Sequence, residues 1–257
     1  MLIVLNKAIV HAVGNFAQEG VRVLPTRRLR RKEPELERRI DETWRRRTEA
    51  APNLFHDAPL ARLVAHGLLP DKLALFVGET TFREFVGTNL EAESDPSIHE
   101  SLGEDYFANP LGVSAVILTK DDALLLGRRS VQTVEGVGQW DLPGGHVPFQ
   151  EGIACSPFDT IGRELHEELG LGRSDIASLH CAGLVENGLT HKPELIFVVR
   201  VTEKAKKLEK RATAHGDREH DAFMTWPAAK SDVLELLRTR GDELTPVAAG
   251  GLGTLVA

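Results

Sequence analysis

The stretch Gly145–Leu171 reads G-HVPFQ-E-GIACSPFDTIG-RELHEELGL, and its second half decides the fold. Glu164, Glu167 and Glu168 stand at i, i+3 and i+4, so a helix stacks three carboxylates on one face. Like charges at that spacing destabilise a bare helix by a few tenths of a kcal/mol per pair, on the order of 0.2–0.5. A helix that keeps them needs a counter-ion, and a divalent cation with oxygen ligands is the natural candidate.

The flanking residues supply the rest of a helix. Ser156 is placed as its N-cap and Pro157 as its first residue, with Asp159 where the helix dipole accepts negative charge. Phe158, Ile161, Leu165 and Leu169 recur at three- and four-residue steps as the buried stripe. Gly170 is placed to end the helix in the left-handed conformation. Arg163 can hold a carboxylate in a fork-shaped pair. Upstream, Leu142-Pro143-Gly144-Gly145 lets the main chain approach an ion closely. A lone E-x-x-E-E is usually a solvated face. The glycine turn, spaced Glu151, arginine and cap, all in one order, favour a site instead.

These residues resemble the Nudix hydrolases. The box of that family runs Gly, five residues, Glu, seven residues, then Arg-Glu-apolar-any-Glu-Glu-any-Gly-apolar. Gly145, five residues and Glu151 fit, and Arg163 to Leu171 fit at every specified position. The spacer departs: residues 152–162 number eleven, four more than seven. The extra residues fall before the Ser156 cap or in the first helical turn. The carboxylate face is therefore untouched, whereas Glu151 need not sit where the family's first glutamate sits.

Composition bounds the rest. The chain has 257 residues, 42% of them apolar and 5% aromatic, as in an ordinary soluble protein. A net charge of −7 argues against a wide basic surface for nucleic acid. Residues 27–47 run the other way, with ten Arg or Lys against five Asp or Glu. Leu36, Ile40 and Trp44 at i, i+4 and i+8 make that segment a helix. Glu35–Arg39, Asp41–Arg45 and Glu42–Arg46 are expected as its ion pairs, on a solvated face rather than against RNA or lipid. Cys155 and Cys181 match no disulfide framework or metal spacing, so a reducing, cytoplasmic setting is expected. Residues 1–7 are apolar but too short for a membrane span or signal segment, and read as a first strand.

Apolar strands are expected near 2–5, 8–13, 21–24, 60–66, 72–78, 113–119, 122–127, 180–186, 194–201 and 222–226. Short helical signals lie at 81–87 and 227–239, with a loop over 91–105 and a hairpin turn at 120–122. A charged segment (203–220) and a small-residue tail have no assigned element. Strands interleaved with helices argue for an α/β sandwich with mixed pairing. Asn109-Pro110-Leu111-Gly112 marks a boundary, which divides the chain into an N-terminal α/β domain (1–110) and a core (111–257).

Further segments narrow the resemblance: Leu54–Pro59, Gly78–Asn89, Asp105–Val113 and Arg128-Arg129-Ser130. With the long spacer, they are similar to the animal UDP-glucose pyrophosphatase branch, over roughly residues 35–200. The resemblance implies a Nudix-type α/β/α sandwich with a smaller N-terminal protruding domain. It also implies magnesium-dependent hydrolysis of UDP-glucose or UDP-galactose to UMP and sugar 1-phosphate. Glu164, Glu167 and Glu168 are then the metal ligands and catalytic carboxylates, Arg163 orients them, and the Gly144 carbonyl is a further ligand. Glu194 matches a position where relatives offer another carboxylate.

For substrate, Thr80, Phe82, Arg83, Thr88 and Asn89 supply groups suited to uracil, ribose and phosphate, and Phe55 or Phe82 a face for stacking. Apolar Phe82, Phe85 and Val86 at helical spacing fit a core equally well. Of Arg128 and Arg129, neighbours on a strand, only one can face phosphate, and Arg129 is the expected one. His146 is placed to touch a phosphate oxygen. The expected partner is a small nucleotide-sugar; a membrane is not expected, and monomer and homodimer fit alike. The other open readings are a Nudix hydrolase of ADP-ribose, a dinucleotide or a modified dNTP, and a catalytically silent nucleotide-binding module.

Overall fold

A computed structural model describes residues 3–5, 7–215 and 218–257. In chain order its elements begin with β1 (Ile3–Leu5), β2 (Ala8–Phe16), β3 (Val21–Pro25), α1 (Pro34–Ala50), β4 (Pro59–Leu69) and β5 (Lys72–Thr81). Three short helices follow: α2 (Phe82–Gly87), α3 (Asn89–Ser94) and α4 (Ser97–Leu102). Next come β6 (Gly112–Leu118), β7 (Ala123–Arg129), β8 (Trp140–Asp141), β9 (Gly144–His146), β10 (Phe149–Gln150) and β11 (Ile153–Ala154). The chain continues through α5 (Pro157–Leu169), β12 (Ile176–Asn187), β13 (Lys192–Val201), α6 (Ala205–His215), β14 (His220–Pro227), α7 (Lys230–Arg240) and α8 (Pro246–Val256).

The main sheet runs β1-β2-β12-β13-β6-β7-β14, with β8 on β7 and β9 on β6. β13 and β6 are parallel and their neighbours antiparallel, so the sheet is mixed. Its pleat sorts two cores. Val113, Ala115 and Ile117 of β6, with Leu195, Phe197 and Val199 of β13, face the α5 stripe and Leu208 and Ala212 of α6. Val116, Ile196 and Val198 face the other way, onto α7 and α8. Helices thus cover both faces, an α/β/α sandwich.

A second sheet, β3-β5-β4, contributes Leu63, Leu73, Leu75 and Val77 to the first of these cores. Helices α1 to α3 surround it, with Phe55, Phe85, Val86 and Leu90 as their own cluster beside Trp44. β2 pairs with β12 and β1 with β2, so these two strands belong to the main sheet although they precede residue 110. The expected strand at 2–5 is found over 3–5; Leu2 lies outside the described residues.

The basic helix starts at Pro34, and its expected internal pairs are replaced. Arg39 reaches Asp95, Arg46 and Arg47 both reach Glu91, and Asp41 binds Arg83. These charges therefore tie it to α2, α3 and the Asp95 that ends α3, while Arg38 pairs within the helix with Glu35 and Glu42. Arg30, nearly fully buried, is held by Glu37 and Glu84. Among the described residues no helix is long and apolar enough to cross a membrane.

Candidate active site

Helix α5 forms as its cap and stripe require. The Ser156 hydroxyl accepts from the Asp159 amide, Pro157 opens the helix, and Gly170 closes it at φ 67°. Phe158, Ile161, Leu165 and Leu169 are all buried. The longer spacer is a hairpin of its own, β10 on β11. Glu151 and Gly152 make its tip at φ 53° and 79°, a pair of left-handed residues typical of a two-residue turn. Glu151 is exposed at that tip.

The glycine turn lies directly under the helix. A Cβ on Gly145 would meet Glu164 Oε1 at 2.4 Å, and one on Gly144 would meet the Val113 carbonyl at 2.0 Å. Glu168, buried beneath the turn, accepts the Gly144 amide at 3.0 Å and lies 3.5 Å from His220 Nδ1. Arg163 donates to Glu164 at 2.6 Å and to Glu167 at 2.8 Å. Burial pushes the Glu164 carboxyl up to about 7; Glu167 and Glu219 add to this, and Arg163 opposes it. In this arrangement the guanidinium acts as counter-ion. Among the described residues, no three His, Cys, Asp or Glu side chains converge on one ion position.

A cleft of about 590 Å³ opens beside the turn. Of the residues expected at the site, it brings together Gly144, His146, Arg163, Glu164, Glu167, Arg129, Glu194 and Phe82. Strand alternation sorts the two arginines as expected. Arg128 is exposed and pairs with Asp221, whereas Arg129 enters the cleft and pairs with Asp141 at 3.1 Å. Burial works against the Arg129 charge, but Asp141 and Glu135 outweigh it and raise its pKa. His146 stands edge-on to Phe82 and Phe85. Burial, then the Lys192 charge, pushes its imidazole down to about 3, so it faces the cleft neutral.

Five residues expected to read the substrate do not line this cleft, and those assignments are corrected. Thr80 is buried and donates to Glu84. Thr88 is fully buried, donating to the Glu84 carbonyl and accepting the Ala108 amide. Asn89 is also fully buried and donates to Asn109 and the Thr190 carbonyl, joining the small lobe to the β12–β13 turn. The Arg83 side chain pairs with Asp41, and Phe55 packs among Trp44 and Phe82. What the small lobe does send into the cleft is Leu54, His56, Ala58, Phe82 and Glu93.

The cleft also contains a charged group that was not expected. The Lys192 Nζ lies 2.8 Å from Glu135 and 3.3 Å from Glu194, whose other oxygen accepts from Ser114. Burial opposes the Lys192 charge, but the two glutamates raise its pKa well above the ordinary lysine value. Its signal was present in the sequence. Lys192 and Glu194 stand two apart at the head of a strand that is then apolar up to Arg200, and so share one face.

Intervening residues of the same hairpin, Glu186, His191 and Pro193, line a second cavity of about 320 Å³ on its other face. There Glu186 joins His11 at 2.8 Å and His191 at 2.9 Å, and the His99 ring stacks on His191 with centroids 3.6 Å apart.

The NUDIX domain profile matches residues 108–246. Uridine diphosphate glucose pyrophosphatase NUDT22 of Homo sapiens is 28% identical over 268 residues, which cover 93% of this chain and 88% of that protein. Its counterpart in Mus musculus is 36% identical over 144 residues, covering 52% of this chain and 46% of that protein. Nudix hydrolase 9 of Arabidopsis thaliana is 27% identical over 215 residues, covering 71% and 69%. With the domain match spanning more than half of its length and a box helix built as its sequence requires, this chain belongs to the Nudix hydrolase family.

Proposed function

We propose that this chain hydrolyses the diphosphate bond of UDP-sugars, UDP-glucose or UDP-galactose, to UMP and the sugar 1-phosphate, with magnesium. The observation that carries this is one cleft in which the box residues Arg163, Glu164 and Glu167 and the glycine turn face Phe82 and the 54–58 segment of the small lobe. The likeness to proteins named uridine diphosphate glucose pyrophosphatase supports the choice of nucleotide.

The donor set fits a hard divalent cation. Glu164, Glu167, Glu168 and the Gly144 carbonyl are all oxygen donors. The partly buried Glu164 carboxyl, crowded by Glu167 and Glu219, is a group that a cation would ionise. Gly145 leaves the space beside it that a Cβ would fill. When bound, magnesium supplies charge neutralisation at the diphosphate and a more acidic water.

The chain's own groups do the rest. Arg163 holds Glu164 and Glu167 in register. Glu168 fixes the glycine turn through the Gly144 amide. A carboxylate of this set can act as general base toward the attacking water. Phe82 offers an aromatic edge or face to a planar base. In the reaction the oxygen of water bonds to one phosphorus, the bond from that phosphorus to the bridging oxygen breaks, and the second phosphate leaves with that oxygen.

The test is a magnesium-containing assay of UDP-glucose and UDP-galactose beside ADP-ribose, with products identified by chromatography. UMP release with inert ADP-ribose supports the proposal; the reverse preference overturns it.

A further inference from the structure

The Lys192 side of the cleft is chemically unlike the carboxylate face of the box helix. Gly112 and Ser114 of β6 pair with His146 and Gly144 of β9, while Glu194 of β13 pairs with Gly112 on the other side. The main chain at Lys192 and Glu194 therefore lies two strand spacings from the glycine turn, roughly 10 Å at about 4.8 Å per spacing, and the Glu194 carboxylate reaches back over Gly112 to the Ser114 hydroxyl.

The groups there form a buried acceptor array around the Lys192 ammonium, with Arg129 donating to the Glu135 carbonyl beside it. Lys192 and Glu194 are 8% and 5% exposed. Glu135 Oε1 and His146 Nε2 are buried with no hydrogen-bond partner among the described residues. Burial raises the Glu194 pKa against the pull of Lys192, while Lys192 keeps Glu135 below the ordinary carboxylate range despite its burial. Glu93 lines the same cleft.

This side disfavours a second phosphate, because its carboxylates, Glu93, Glu135 and Glu194, outnumber its cations, Lys192 and Arg129. It suits a neutral group carrying several hydroxyl donors, since unpaired buried acceptors cost free energy until a donor reaches them. Uracil offers one N–H and ribose two hydroxyls; a hexose offers four.

Resting on the functional reading above, we propose that Glu135, Lys192, Glu194 and His146 form the subsite for the hexose of the nucleotide-sugar and set its selectivity. The hexose hydroxyls donate to Glu135 and Glu194, and the Lys192 ammonium donates to a hydroxyl oxygen. Glycine at 112 leaves room for Glu194, because a Cβ there would stand 2.7 Å from the carboxylate.

The experiment compares wild type with Glu135→Gln, using UDP-glucose as substrate and UDP, which lacks the hexose, as competitive inhibitor. The variant is expected to raise the KM for UDP-glucose about tenfold or more while changing the inhibition constant of UDP by less than about twofold. A parallel loss for both compounds overturns the proposal, because the array would then read the nucleotide; so does an unchanged KM.

A second measurement needs no variant. Wild type should lose about tenfold or more in kcat/KM on UDP-deoxyhexoses lacking one donor hydroxyl, and equal rates overturn the subsite. Failure of wild type to cleave any UDP-sugar, with cleavage of another nucleotide, defeats the functional reading itself and is distinct from both results.

Discussion

Gly145 and Glu164 are fitted so closely that the smallest side chain cannot come between them, as a Cβ on the glycine would stand 2.4 Å from the carboxylate oxygen. What it meets is the mobile end of a side chain, so Gly145→Ala can be relieved by swinging Glu164 away. We expect stability within about 1 kcal/mol of wild type and activity lower by about 10- to 100-fold, as for a displaced metal-site partner. Gly144→Ala differs, because its Cβ would meet the Val113 carbonyl at 2.0 Å and main chain cannot step aside. That variant should lose about 2–3 kcal/mol or fail to fold. Urea denaturation beside a rate assay checks both; equal stability losses would mean that Glu164 is held as rigidly as the backbone.

Magnesium binding should release a proton. At pH 7 a carboxyl with a pKa of about 7 is half protonated, and a cation that it ligates drives the proton off. Titrating magnesium into weakly buffered protein should liberate about half a proton per site. Glu164→Gln should abolish the signal. Release that persists in the variant would place the titrating group elsewhere.

Glu168→Gln should separate fold from catalysis. The glutamine carbonyl can still accept the Gly144 amide that Glu168 holds at 3.0 Å, so the turn stays in place. The negative charge is lost, and turnover in magnesium should fall by about 100-fold or more. Undiminished turnover would remove Glu168 from the site.

Acid should weaken the fold through the histidine stack. Burial, then the charge of His191, pushes the His99 pKa below its ordinary value of 6.5. The unfolded chain then takes up a proton near 6.5 that the folded chain refuses, so this contribution is present above 6.5 and is lost as pH falls. Burial also works against the Glu186 charge, but His11 and His191 outweigh it and hold it at about 2. Its contribution is therefore lost only below the ordinary glutamate value of 4.5. His99→Gln should melt with a flatter pH dependence between pH 7.5 and 5.5. An unchanged slope would show that the stack does not set it.

The box helix was legible because its code is local: Ser156, Pro157, the stripe and Gly170 act within one element. Thr80, Thr88 and Asn89, expected beside Phe82 as substrate residues, lie outside the cleft for the opposite reason. Thr80, Thr88 and Asn89 spend their polar groups on Glu84, Ala108, Asn109 and Thr190, contacts that no local pattern announces. Helix α8 escaped notice because its glycines weaken helix propensity. Packing compensates: at Gly250 a Cβ would crowd Val185 at 2.6 Å, so the glycine is what lets the helix lie against the sheet. α6 was hidden by charge, its Leu208 and Ala212 being the buried positions that fix it.

The self-closing hairpin between the glycine turn and helix α5 has a consequence for how such sequences are compared. Register along the carboxylate face is counted from Ser156, because the helix begins at its cap. Residues added between Gly145 and that cap are absorbed at the Glu151–Gly152 tip and never advance the helical phase. The quantity that sets the phase is therefore the interval from cap to carboxylates, eight positions from Ser156 to Glu164, and the interval from glycine is free to drift. A search that fixes the second interval will pass over proteins that keep the first.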